Sequence, residues 1–136
     1  MENDQISIIR KIVEEGFGEE NLSVIDTYVS DDIIEHQAGL GKGKEGLKRA
    51  IQSLRASFPD LKYSLQQYSQ KNDTVWVHYK ATGTQTGQFM HLAPTGKKID
   101  IDVMDVGRIE NGKLVEHWGV PDRFAVLMQL GLLDKK

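Results

Sequence analysis

A chain of 136 residues can form one core that removes roughly two-thirds of its unfolded surface from water, so a single domain over 1–136 is expected. Its 20 acidic and 17 basic side chains leave a net charge of −3 and no broad positive field for a phosphate backbone, which argues against nucleic acid as a partner. Cysteine is absent, so disulfides, thiolate metal sites and thiol nucleophiles are excluded.

The opening MENDQISIIRKIVEE is charged throughout and lacks the apolar centre of a signal peptide. No later stretch approaches the about 18 apolar residues of a membrane span. A cytoplasmic protein without a membrane partner is expected. After cap candidates Asn3 and Asp4, Ile6, Ile9, Ile12 and Val13 recur at helical spacing until Gly16 and Gly18. A short second helix follows from Asn21, with Leu22, Ile25 and Val29 on one stripe, until Ser30, Asp31 and Asp32 interrupt it; Ile33, Ile34 and His36 then form a brief extended piece. Beyond the glycine-rich segment 39–46, Leu47, Ala50, Ile51, Leu54 and Phe58 mark the clearest helix, which Pro59 ends.

From Leu61 the period changes to two. Strand-prone residues at 62–69, a polar turn at Lys71, Asn72 and Asp73, and alternation over 74–86 predict a hairpin. Segment 87–96, with Phe89, Met90, His91, Leu92 and Pro94, is too apolar for an idle loop and suits a cavity cover. A second hairpin joins 97–109 to 114–120 through Asn111 and Gly112, and a last helix at 124–130 is closed by Gly131. Helices, then strands, then a terminal helix is an α+β order, in which a strongly curved antiparallel sheet wraps around the helices covering it.

Phe58-Pro59-Asp60, Gly83 through Gly87, Pro94 through Lys97, Gly112-Lys113-Leu114, Glu116-His117-Trp118, Asp122 and Gln129-Leu130-Gly131 stand in an order that resembles the SnoaL-like polyketide (ester) cyclases of the NTF2-like superfamily. The resemblance implies an NTF2-like cone, frequently a homodimer, free of cofactor, with an apolar pocket ending in a few polar groups. It implies intramolecular aldol ring closure, with Asp122 matching the family's acid/base aspartate. Gln85 stands where the family often has His, and Gly107 where it often has an aromatic, which points to a different pocket shape and ligand.

In a two-residue hairpin at Asn111 and Gly112, Ile109 pairs with Leu114, Gly107 with Glu116 and Asp105 with Trp118, and opposed residues share a face. Ile101, Val103, Ile109, Leu114 and Val120 make that face apolar, so Asp105, Glu116 and Trp118 point inward, while Asp100, Asp102, Arg108 and His117 lie on the wetter side. Strand parity continued past Val120 aims Asp122 into the cavity; equally, Asp before a helix is a favoured N-cap. One carboxyl can both remove a proton beside a carbonyl and return one to the alkoxide, and an apolar site raises its pKa from about 3.9.

His36, with its near-neutral intrinsic pKa, suits substrate hydrogen bonding or proton relay in a catalytic role, or equally a structural bond to the backbone. Substrate contacts are expected from Trp118 as an aromatic wall, Asp105, Gln37 as a carbonyl orienter, His91 at the mouth, and Tyr79. Arg108 and Glu116 can form an ion pair. Trp76 and His78 fall on the outer face and suit a dimer surface. The histidines at 36, 78, 91 and 117 show no metal-ligand spacing, no serine elbow is present, and the glycines at 39–46 lack the Gly-Lys-Ser/Thr of a phosphate loop. The expected function is therefore cofactor-independent acid/base chemistry on a small apolar carbonyl compound. The alternatives are a noncatalytic binding domain, an isomerase or hydrolase using the same pocket, or a scaffold acting through the outer sheet.

Overall fold

The computed structural model describes residues 4–133; Asn3 lies outside them. Helix α1 (Asp4–Arg10) runs directly into a π-helical turn (Lys11–Phe17), from which Ile12, Val13 and Phe17 face the interior. Helix α2 (Ser23–Tyr28) is short, because Val29 already begins strand β1 (Val29–Glu35). The break expected at 30–32 is thus part of the strand: its polar residues lie on an edge facing solvent, which a strand tolerates.

Helix α3 (Gly43–Ser57) buries Leu47 and Ile51 on one stripe and ends before Pro59, which cannot continue the backbone ladder. Each such buried aliphatic contributes about 1.5–3 kcal/mol. Strands β2 (Lys62–Lys71), β3 (Thr74–Thr84), β4 (Lys98–Glu110) and β5 (Lys113–Pro121) form a meander, and α4 (Arg123–Gln129) closes the chain. Asn72 and Asn111 adopt the positive φ that the two tight turns need.

The sheet order is β1-β5-β4-β3-β2. It is a curved, unclosed sheet with the N-terminal helices against its concave side, the α+β cone expected; β2 to β5 pair antiparallel, and β1 joins at one edge parallel to β5. Ile101, Val103 and Ile109 of β4 and Val75, Val77, Tyr79 and Ala81 of β3 face inward, joined by Ile6, Ile9, Ile25 and Ile51 from the helices in one core.

The β4–β5 register departs from a simple two-residue hairpin. Ile109 pairs with Leu114 but Arg108 pairs with Glu116, so Val115 is an extra residue bulged out of the ladder. Every position beyond it changes face. Gly107 therefore opposes His117, Val106 opposes Trp118 and Asp105 opposes Gly119. Trp118 and Val120, expected inside, are exposed, and His117, expected on the wet face, is inside.

Candidate functional site

Between the sheet and the helices lies a cavity of about 590 Å³. Ile12, Val13, Leu47, Leu54, Ile101 and Val103 give it an apolar wall, and Phe89 and Met90 reach it from segment 87–96. That segment is fastened by Gln85, which is fully buried: its amide nitrogen donates to the carbonyls of Gly87 (3.1 Å) and Ala93 (3.2 Å), and its oxygen accepts from the Thr95 hydroxyl at 2.7 Å. The position where relatives often carry His is thus a loop anchor. At Gly107, an added Cβ would lie 2.6 Å from Ile9 Cδ1 and 2.8 Å from Leu114 Cδ1, so aliphatic side chains fill the space an aromatic would need.

One end of the chamber is polar. Strand β1 presents Glu35 and leads to Gln37, β4 presents Asp105, and the bulge turns His117 of β5 to meet them. His117 donates through Nδ1 to Glu35 Oε2 at 2.6 Å and through Nε2 to Asp105 Oδ1 at 3.2 Å. Glu35 Oε2 also accepts from the Gln37 backbone N–H at 2.9 Å. The three side chains are only 15%, 7% and 13% exposed for His117, Glu35 and Asp105.

Burial opposes a charge on His117, but hydrogen bonds from its ring to Asp105 and Glu35, together with their negative charge, outweigh it and push its pKa from 6.5 up to about 9. An imidazolium with both ring nitrogens donating is therefore the resting state at neutral pH. Gly119 lies against this group. A Cβ there would sit 1.9 Å from Gln37 Oε1 and 2.5 Å from Asp105 Oδ1, so the missing side chain makes room for the Gln37 carboxamide beside Asp105. Tyr63 of β2 also lines the chamber; burial first, and then the charge of Asp105, raise its pKa, so its phenol stays protonated as a hydrogen-bond donor.

Asp105 and Gln37 thus line the chamber; the five other candidates lie elsewhere. Asp122 is exposed and caps α4, its Oδ1 accepting from the Ala125 N–H at 3.0 Å. Strand pairing has ended by then, and the helix supplies the carboxylate's partner. His36 stands on the outer side of β1, where its ring stacks on Trp118 at 4.6 Å and its Nε2 meets Glu116 Oε2 at 2.8 Å. The bulge places Trp118 there as well, and Glu116 with it, bonded to Arg108 at 3.0 Å. Tyr79 is fully buried beneath the wall and donates to Glu14 Oε2 at 2.8 Å; Tyr63 packs edge-on against it and takes the cavity position. His91 is exposed and outside the lining, to which its neighbours Phe89 and Met90 belong.

Glu35, Tyr63 and His117 complete the polar lining beyond the residues expected from the sequence. Alternation from Ile33 through Glu35 to Gln37, and from Leu61 to Tyr63, carried a usable signal for two of them. His117 depended on a bulge that no residue in the strand announces.

A curved α+β sheet enclosing an apolar chamber with one polar end defines a small-molecule-handling cone protein. The SnoaL-like polyketide cyclase profile matches residues 7–130, and the chain belongs to that family. It is 25% identical over 133 residues to the aklanonic acid methyl ester cyclase DauD of Streptomyces sp. (strain C5), covering 93% of this chain and 81% of that protein. Among solved structures it is similar to IdmH of Streptomyces antibioticus, with a TM-score of 0.84, 27% identity and coverage of 95% of this chain and 99% of the other. TsrD of Streptomyces laurentii, at 20% identity, matches in fold with a TM-score of 0.87 over 98% of this chain and 99% of its own.

Proposed function

We propose that the protein is a cofactor-independent cyclase that closes a ring in an apolar, carbonyl-bearing metabolite by intramolecular aldol addition, with Asp105 as the acid/base. The observation that carries this reading is the buried Asp105–His117–Glu35 chain at the polar end of an otherwise apolar chamber. His117 uses both ring nitrogens on carboxylates; Glu35 Oε2 accepts two bonds whereas Asp105 Oδ1 accepts one, so Asp105 keeps the greater capacity toward a ligand. Its oxygens take the proton from a carbon flanked by carbonyls; the carbanion attacks the second carbonyl carbon, and the alkoxide recovers the proton from Asp105. Gln37 and the Tyr63 hydroxyl supply donors for the developing oxyanion. His117 keeps Asp105 oriented and balances one of the two buried negative charges.

The similar cyclase is named for aklanonic acid methyl ester, which makes that compound the trial substrate. Ring closure should occur with the native protein, and Asp105→Asn should slow it by about 10²–10⁴-fold while leaving ligand binding in place. Unaltered turnover in that variant would remove Asp105 from the mechanism.

A homodimer through the outer sheet face is part of this proposal. Trp76, Val106 and Trp118 lie in register across β3, β4 and β5, as do His78, Met104 and Val120, and Trp76, Met104, Trp118 and Val120 are exposed. Such a contiguous apolar band, rimmed by the Lys80–Asp102 and Arg108–Glu116 pairs, has the composition of a subunit interface.

A further inference from the structure

The polar end of the chamber contains one side chain with nothing of its own to hold it. Glu35, His117 and Asp105 fasten one another, but among the described residues the Gln37 carboxamide makes no hydrogen bond. Its oxygen rests in the notch left by Gly119, beside Asp105. A long side chain in that position stays aimed only if its backbone is fixed, and an oxyanion donor has to be held within about 0.5 Å of its working place.

The backbone is fixed from both sides. On the strand side, the Gln37 N–H donates to Glu35 Oε2 at 2.9 Å. Beyond it the chain leaves β1 and turns toward α3 through Gly39, whose φ of +91° favours glycine. Here Arg123 reaches over from the start of α4 and donates from Nη2 to the Ala38 carbonyl at 2.7 Å. A Cβ at Gly39 would lie 3.5 Å from Nη2, so the guanidinium packs closely on the turn. Helix α4 is a firm support. Val126 and Leu130 are buried, and the Gln129 carboxamide brackets Asp100 of β4, accepting from its N–H at 2.7 Å and donating to its carbonyl at 3.0 Å. Arg123 is thus a strut from the terminal helix to the residue next to Gln37.

We infer that Arg123 is a positioning residue, which acts through the 37–39 turn to keep the Gln37 carboxamide beside Asp105. This rests on the reading of Gln37 as an oxyanion donor. The strut bond is exposed, so water competes for both partners and the bond adds little to stability. Its effect falls instead on where the carboxamide stands when the alkoxide forms.

The test measures turnover of aklanonic acid methyl ester and, independently, the side-chain amide NMR signals of Gln37 in the free protein. Arg123→Ala should lower kcat about tenfold or more, as loss of an oxyanion donor does, with KM nearly unchanged. Gln37→Ala should cost as much, and the double variant no more than either alone. Arg123→Lys, whose ammonium can still donate to the Ala38 carbonyl, should recover most of the loss. The Gln37 signals should move or broaden in Arg123→Ala and return in Arg123→Lys. Losses that multiply in the double variant, or Gln37 signals that stay in place without the guanidinium, would overturn the inference. If the native protein turns over no ester, the cyclase reading falls, and the Gln37 signals by themselves uphold or overturn the strut.

Discussion

Raising the pH from 6 to 9.5 should unfasten the centre of this protein. His117 has its pKa moved from 6.5 to about 9 in the folded chain, because two carboxylates hold its proton against the opposing effect of burial. A group whose folded pKa is raised contributes stability that is complete below its unfolded pKa, near 6.5, and is lost as the pH rises through about 9. At about 1.36 kcal/mol per pH unit, the interval amounts to on the order of 3 kcal/mol. With a side chain only 15% exposed, His117 is little screened by water. For a chain of 136 residues, an unfolding entropy near 2.1 cal/mol/K per residue turns that loss into a fall in Tm of roughly 10 °C. Thermal scans and urea titrations at pH 6, 7.5 and 9.5 measure the loss, and imidazole NMR signals locate the proton. His117→Gln should be less stable at pH 6 and should flatten the slope between pH 6.5 and 9. A native protein whose stability is level over that interval, or a His117 ring that titrates near 6.5, would refute the reasoning.

Three further outcomes are expected. Asp122→Ala should lower stability by about 1 kcal/mol through loss of the α4 cap, while turnover persists; collapse of turnover in a folded Asp122→Ala protein would return that residue to the mechanism. Gly119→Ala should keep the fold but displace both the Gln37 carboxamide and the Asp105 carboxylate, since the new methyl needs the space their oxygens fill; kcat should fall about tenfold or more, as for a lost oxyanion donor or a misplaced base, and unmoved side chains with native kcat would contradict this. Met104→Glu should convert the proposed dimer to a monomer in analytical ultracentrifugation, because a charge in the middle of the outer band would have no partner across a two-fold interface; sedimentation of the native protein as a monomer at tens of micromolar would sink that proposal.

Most elements were legible in the residues because each carries its own period. The Leu47 to Phe58 stripe, the alternation of Val75, Val77, Tyr79 and Ala81, and the Asn-Gly turn at 111–112 are local signals, and the structure uses them as written. The described chain also contains no helix long and apolar enough to cross a membrane. What local periodicity could not supply was the face of β5 beyond Val115: a bulge depends on packing across strands rather than on the residues' own period, and it brings His117 opposite Gly107, over which Ile9 and Leu114 close. The site was therefore legible where parity ran unbroken, at Asp105, and inverted where it did not, at His117 and Trp118. Asp122 illustrates a different limit, because one carboxylate after a strand and before a helix satisfies two patterns, and only the Ala125 amide chooses between them.

The surplus residue at 115 has an evolutionary meaning. Shortening β5 by one position there would exchange the two rows of its side chains, exposing the imidazole and bringing the indole indoors. Two descendants of one ancestor, nearly identical letter by letter, could thus contain interiors with different chemistry. An alignment that slides a gap across 114–116 to improve its score would hide that exchange, so descendants of this fold are best compared by which strand positions face one another.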